Sequence, residues 1–232
     1  MSLLWSDEFE PNNDIEGNWT YEIGNGTNGW GNNELQHYTA NNTMLSNGFL
    51  VIEAREESIN GFNYSSARMI SSSLFDFQYG RVDIRAVLPK GQGVWPALWM
   101  LGSSFGQNGW PSCGEIDIME LLGHVPNEVH GSLHWDNSGA YASTTAATTI
   151  NTGDFSDEFH VFSIEWDANS ITWFLDDIQY STVDISSPEF NEFRAEFFFI
   201  LNIAVGGNWP GSPNANTVFP QRMIVDYIRV FQ

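Results

Sequence analysis

Three carboxylates fall within the stretch Glu115-Ile116-Asp117-Ile118-Met119-Glu120, whose other members are apolar. Ile116, Ile118, Leu121 and Leu122 read as strand residues facing a core. Like charges this close raise one another's proton affinity, so a purely structural strand avoids them. A site that needs one ionised and one protonated carboxyl group has a use for all three. A calcium-binding strand, or a merely acidic one, is the other reading of the segment.

The spacing constrains the geometry. Side chains alternate faces along a flat strand, so Glu115 and Asp117 share a face and Glu120 points into the core with Ile116 and Ile118. A lone ionised glutamate in an apolar core is prohibitive. A β-bulge at Ile118 or Met119 turns Glu120 back to the acidic face. The two glutamates then stand about four steps apart, or ~13 Å at ~3.3 Å per residue. Two side chains leaning together each cover roughly 4 Å, which leaves the ~5 Å gap of a retaining glycosidase. Glu115 is then the nucleophile and Glu120 the acid/base, with Asp117 between them to set their charges.

The same stretch, with Gly114 ahead of it, resembles the bulged signature of glycoside hydrolase family sixteen, and within it the laminarinase-type endo-β-1,3-glucanases. Other segments agree in order: Gly93-Val94-Trp95-Pro96-Ala97-Leu98-Trp99-Met100-Leu101, His130-Gly131-Ser132-Leu133-His134-Trp135, Phe159 to Trp166, Asn202 to Gly211, and Asp226 to Gln232. The resemblance covers nearly the whole chain. It implies double-displacement hydrolysis of a β-glucan polysaccharide or oligosaccharide, endo action, and no catalytic cofactor. It also implies one structural calcium at Glu8, Gly48 and Asp226. It places His134 in the cleft beside the acid/base, Arg68 near the nucleophile, and Asn32 on sugar hydroxyls.

Each of these residues also has a plainer reading. Arg68 reads equally as a surface-strand arginine, and Asn32 as a turn residue. Trp95 and Trp99 are four apart on one strand and share a face, which suits either a sugar platform or a core pair. Trp110 lies in Asn108-Gly109-Trp110-Pro111, a turn that puts it at the cleft rim. Trp166 and Trp173 read as packing. His130 reads as structural, and Asn202 as a polar break that points to the cleft.

Composition narrows the partners. The chain has 232 residues, 29 acidic against 8 basic, for a net charge of −21. That surface repels nucleic acid and anionic membranes and disfavours polyanionic substrates, which weighs against sulfated galactans and for a neutral glucan. Cys113 is the single cysteine, so no internal disulfide is possible. No Cys/His spacing suggests zinc, and no apolar run is long enough for a membrane span. Met1-Ser2-Leu3 runs straight into an expected first strand. Enzymes of this kind act on polymers outside the cell, so the expectation is a secreted protein whose sequence here starts at the mature domain.

The fold expected is all-β: a jelly-roll sandwich of two curved antiparallel sheets with a cleft on the concave face, in one domain spanning 1–232 and acting as a monomer. Arg81 to Leu88 alternates cleanly. Ile171 to Leu175 followed by Asp176-Asp177 reads as a strand entering a hairpin. Phe197 to Leu201 reads as a strand buried on both faces. Asp154 to Phe159 reads as a short helical turn. Rival functions on this fold are a mixed-linkage glucanase, a transglycosylase and a non-catalytic glucan-binding protein. The longer spacing before Glu120 favours the β-1,3-glucanase, and retention of both glutamates speaks against the binding protein.

Overall fold

Short apolar-polar alternations broken by turn residues make strands along nearly all of the chain. A computed structural model describes residues 1–10 and 15–232. Its strands begin with β1 (Leu3–Asp7), β2 (Thr20–Tyr21), β3 (Gln36–Tyr38), β4 (Thr43–Ser46), β5 (Phe49–Ile59) and β6 (Phe62–Ser66). There follow β7 (Arg68–Ile70), β8 (Asp76–Phe77), β9 (Gly80–Val87), β10 (Val94–Gly102), β11 (Glu115–Glu120) and β12 (Glu128–Asn137). The last are β13 (Ala140–Thr149), β14 (His160–Trp166), β15 (Ser170–Leu175), β16 (Ile178–Asp184), β17 (Phe197–Val205) and β18 (Gln221–Phe231).

They form a jelly-roll sandwich. One sheet has eight strands, in the order β13-β12-β11-β10-β17-β7-β2, with β8 on β17. The other has ten, in the order β16-β15-β14-β9-β18-β5-β6-β3, with β1 on β18 and β4 on β5. Pairing is antiparallel except between β3 and β6. Strand β18 lies inside its sheet and pairs with β9, β5 and β1.

Local sequence explains several elements. Val82, Ile84 and Ala86 of β9 are fully buried, as the alternation expects. The β15–β16 turn puts Asp176 at φ 49° and Asp177 at φ 64°, the left-handed pair of a two-residue hairpin. Every residue of β17 is buried, because one face meets the inter-sheet core and the other floors the cleft. Asp154 to Phe159 departs from expectation. It forms turns, not a helix. Asp154 Oδ1 accepts hydrogen bonds from the Ser156 amide and hydroxyl, an alternative to helical pairing of the backbone.

The expected bulge is present at Ile118. On the β10 side Asp117 opposes Trp99 and Met119 opposes Leu98, so Ile118 is the extra residue. Ile118 and Met119 both enter the core, 1% and 0% exposed. That double inward step returns Glu120 to the face of Glu115 and Asp117. Glu115 and Glu120 oppose Leu101 and Ala97 on one neighbour, and His134 and His130 on the other. Each pair of partners is four residues apart, so the glutamates are four ladder steps apart.

A bulge leaves backbone groups without ladder partners. Here the Asp117 carbonyl accepts a hydrogen bond of 2.8 Å from the Trp173 indole N–H, which reaches across from β15. Trp173 is therefore more than packing: it ties the ten-stranded sheet to the kink in β11. Trp173→Phe keeps most of the buried surface but orphans that carbonyl. It is expected to cost about 1–3 kcal/mol, read as a lowered denaturant midpoint with unchanged slope. An unaltered midpoint would show that the kink needs no partner.

Candidate active site

The outer face of the eight-stranded sheet carries a cleft of about 1020 Å³. Its floor comes from alternate residues of the central strands: Trp95, Ala97, Trp99 and Leu101 of β10, and Phe198, Ile200, Asn202 and Ala204 of β17. Glu115, Asp117 and Glu120 form one wall, and Gly114, at φ 80°, turns the chain into that strand. Water reaches them little. Asp117 is 2% exposed and Glu120 9%.

Each glutamate is held by its own tryptophan. Trp110 Nε1 donates to Glu115 Oε2 at 2.8 Å. Trp95 Nε1 donates to Glu120 Oε1 at 3.0 Å. Aromatic groups then separate into two ends. Trp110, Tyr141 and His134 cluster around Glu115. Trp95 and His130 meet Trp209 edge-on near Glu120.

Burial is the largest cause of the raised proton affinities. It pushes the Glu115 carboxyl from 4.5 up to about 8, with Asp117 adding repulsion, while His134, Trp110 and Arg68 pull it down. Burial, then Asp117 and Glu115, push Glu120 well above the usual range. Asp117 is also raised by burial, and shares a hydrogen bond with Glu115 that opposes the shift. Like-charge repulsion, the cause expected from sequence, is thus secondary at Glu120. His134 and a tryptophan N–H pull both glutamates down; Arg68 adds to that pull at Glu115, while Glu115 adds repulsion at Glu120.

The other expected residues reach the cleft. His134 lies opposite Glu115 in the ladder; its Nε2 is 3.7 Å from Glu115 Oε1 and 3.1 Å from Asp117 Oδ2, and its charge also acts on Glu120. The antiparallel register decides this, and sets His130 opposite Glu120. Arg68 lines the cleft and pairs with Glu22, and its charge also lowers the proton affinity of Glu115. Its guanidinium also sits 4.4 Å from the Trp30 ring centroid and 4.8 Å from that of Trp99. Trp99 therefore has one face covered, and its N–H donates to Asn202 Oδ1 at 2.8 Å. Trp110 is half exposed at the rim, as expected. Asn32 sits in a π-helical turn (Gly29–Asn33) at the cleft and donates to Glu34. Asn202 does face the cleft. Cys113 is buried, and burial pushes its thiol up to about 11, so it packs and does not react.

Sequence reasoning missed a buried polar network beneath the floor. Glu34, 7% exposed, accepts from Asn32, Gln36 and Tyr38, and the Tyr38 hydroxyl accepts from Asn202. The Gln36 side chain also accepts from the Val205 amide at 2.7 Å. A signal existed: Glu34, Gln36 and Tyr38 alternate at period two, a polar face that leads into and along β3. Trp209 was missed as well; it is 40% exposed at the cleft.

The carboxylates of the expected calcium site are engaged. Glu8 holds Arg229 with both oxygens, and Asp226 pairs with Arg85. Strand pairing nonetheless links the three positions. Asp226 is the extra residue of a bulge in β18, Glu8 follows the Asp7–Ile228 pair, and Gly48 sits in the β4–β5 turn two residues before Leu50, which opposes Val225.

Comparison with known proteins places this site among carbohydrate-active enzymes. The family model described as "Glycosyl hydrolases family 16" matches residues 30–229. The clotting factor G alpha subunit of Tachypleus tridentatus is 40% identical over 99% of the chain, which spans only 34% of that relative. A beta-glucanase of Rhodothermus marinus is 40% identical over 99% of the chain and 85% of its own length. The crystal structure of the laminarinase catalytic domain from Thermotoga maritima superposes with a TM-score of 0.91 at 46% identity, covering 100% of this chain and 98% of that one.

Raised carboxyls also fix how stability varies with pH. The folded chain binds the Glu115 and Glu120 protons more tightly than the unfolded chain does. That contribution is fully present below about pH 4.5 and is lost as pH rises above it, through about 8 for Glu115. Glu120→Gln removes the cost of ionisation. It is expected to melt several degrees above wild type at about pH 8 and to lose that advantage at about pH 4, in paired melting curves. An advantage independent of pH would show that burial is not what raises the proton affinity.

Proposed function

The chain belongs to glycosyl hydrolase family 16, and from that premise we propose that it cleaves internal β-1,3-glucosidic bonds of laminarin-type glucans with retention of configuration. One observation carries this reading. Glu115 and Glu120 face the same cleft four ladder steps apart, each oriented by a tryptophan N–H, with both proton affinities raised by burial.

A glucan chain lies across the sheet with its scissile bond between the two carboxyl groups. Glu120, still protonated, donates to the glycosidic oxygen. Glu115 attacks the anomeric carbon from the opposite face and the leaving sugar departs. A glycosyl-enzyme with inverted configuration remains. Glu120, now a carboxylate, takes a proton from water, and the hydroxide attacks the anomeric carbon. Glu115 leaves as a carboxylate and the original configuration returns. Asp117, shielded from water between them, adds the repulsion that helps keep Glu120 protonated. The C–H faces of glucose rings pack on the exposed indoles of Trp110 and Trp209.

A neutral substrate follows from charge. Among the described residues, Arg68 is the arginine or lysine that lines the cleft, and it is already paired with Glu22, so none of them offers a free guanidinium or ammonium to a sulfate. The relatives named as glucanases support the β-1,3-glucan reading over a galactan. We further propose that residues 1–232 act as one catalytic unit, monomeric and outside the cell. A calcium held by main-chain oxygens of Glu8, Gly48 and Asp226 would join β1, the β4–β5 turn and β18 and serve stability alone.

Two measurements test these readings. Glu115→Gln is expected to abolish hydrolysis of laminarin, and Glu120→Gln to slow it by about 10²–10⁴-fold. Azide is expected to rescue Glu115→Ala as a glycosyl azide, and wild-type rates in either glutamine variant would overturn the assignment. Chelator treatment is expected to lower the melting temperature without changing the initial rate at ambient temperature. An unmoved melting temperature would remove the calcium.

A further inference from the structure

His134 stands between two carboxyl groups in a way that the hydrolysis proposed above does not use. One donor atom from each of Glu115, Asp117 and His134 lies within 4.8 Å of the other two. A second observation points to a ligand. The Asp117 side chain is 3% exposed, and its buried Oδ2 has no hydrogen-bond partner. The His134 ring nitrogen is near enough at 3.1 Å, but not in line for a hydrogen bond.

The donor set and spacing suit a borderline divalent cation. Zinc takes imidazole nitrogen and carboxylate oxygen at about 2.0–2.2 Å, so its tetrahedral donors stand about 3.4 Å apart. The two separations from His134 Nε2, 3.1 and 3.7 Å, bracket that value. Tyr141 supplies an outer partner. Its hydroxyl is 2.8 Å from His134 Nδ1 and its ring stacks on the imidazole, which fixes Nε2 toward the carboxyls. The side chains of Glu115 and His134 are 17% and 19% exposed to the cleft, so an ion can enter and keep water on its open side.

We propose that Glu115, Asp117 and His134 form a binding site for a zinc-class divalent cation, and that its occupation blocks the cleft. With Glu115 Oε1 bound to the ion, the carboxylate's negative charge is drawn to the metal and its attack on an anomeric carbon is weakened, while the ion occupies the space beside it. The ion site stands independently of the substrate; only the blockage rests on the role proposed for Glu115.

Calorimetric titration of zinc chloride into the protein tests the site, with magnesium chloride in excess to occupy the acidic surface. Magnesium keeps to oxygen ligands and water and does not compete for imidazole. One saturable site per chain is expected. His134→Gln and Asp117→Asn are each expected to weaken it at least about tenfold, and Tyr141→Phe, a change at an exposed ring, by about tenfold. Melting curves identify variants that fold. Absence of zinc binding above the magnesium background, or wild-type affinity in the folded variants, would overturn the site. Zinc bound at this site while laminarin is cleaved at the unchanged rate would overturn the blockage alone.

Discussion

One inserted residue governs this molecule. Without the kink at Ile118 the strand carrying Glu115 would bury Glu120 among Ile116, Leu98 and Met100, where an ionisable group has no partner. With it, three carboxyls share one sparsely hydrated wall. The kink is costly on its own, since it breaks the ladder on both sides of β11. It persists because the surroundings over-determine it. Ile118 and Met119 fill the core together, and the Trp173 indole caps the freed carbonyl from the opposite sheet.

Chemistry at this wall comes from differences between like groups. Burial raises both glutamates; what distinguishes them is the field of Arg68 at Glu115 and the combined repulsion of Asp117 and Glu115 at Glu120. The folded state is less stable for holding them, and the fully buried strand β17 and the inter-sheet core offset that loss. The negative surface acts in the same direction as the cleft. Most of the few cations are tied to acids, as in Arg81 with Asp83, Arg222 with Glu53 and Lys90 with Asp154. Little positive potential is left to attract an anionic polymer.

Much of this was legible in the residues alone. The kink could be placed because three acids at those positions admit only one arrangement that keeps Glu120 out of the core. Strand β9 and the β15–β16 hairpin announce themselves by alternation and by Asp176-Asp177. The illegible parts share one cause: they depend on register between strands far apart in sequence. Nothing local tells His134 that it will oppose Glu115, or Arg68 that its guanidinium will rest on Trp99. Trp173 looks like any core indole until the opposite sheet supplies its acceptor. The Glu34-Gln36-Tyr38 face was visible, yet short polar alternation is as easily read as an exposed strand.

The central place of β18 has a bearing on how the protein comes into being. Its eleven residues are flanked by β9 and β5 and also pair with β1, yet they are translated after every strand they must join. During synthesis the larger sheet stays split, with two long hydrogen-bonding margins open inside the nascent polypeptide. Closure awaits residues 221–231 leaving the ribosome. Until then the sandwich is unsealed, and the acidic character of the chain keeps such intermediates apart until β18 slots in.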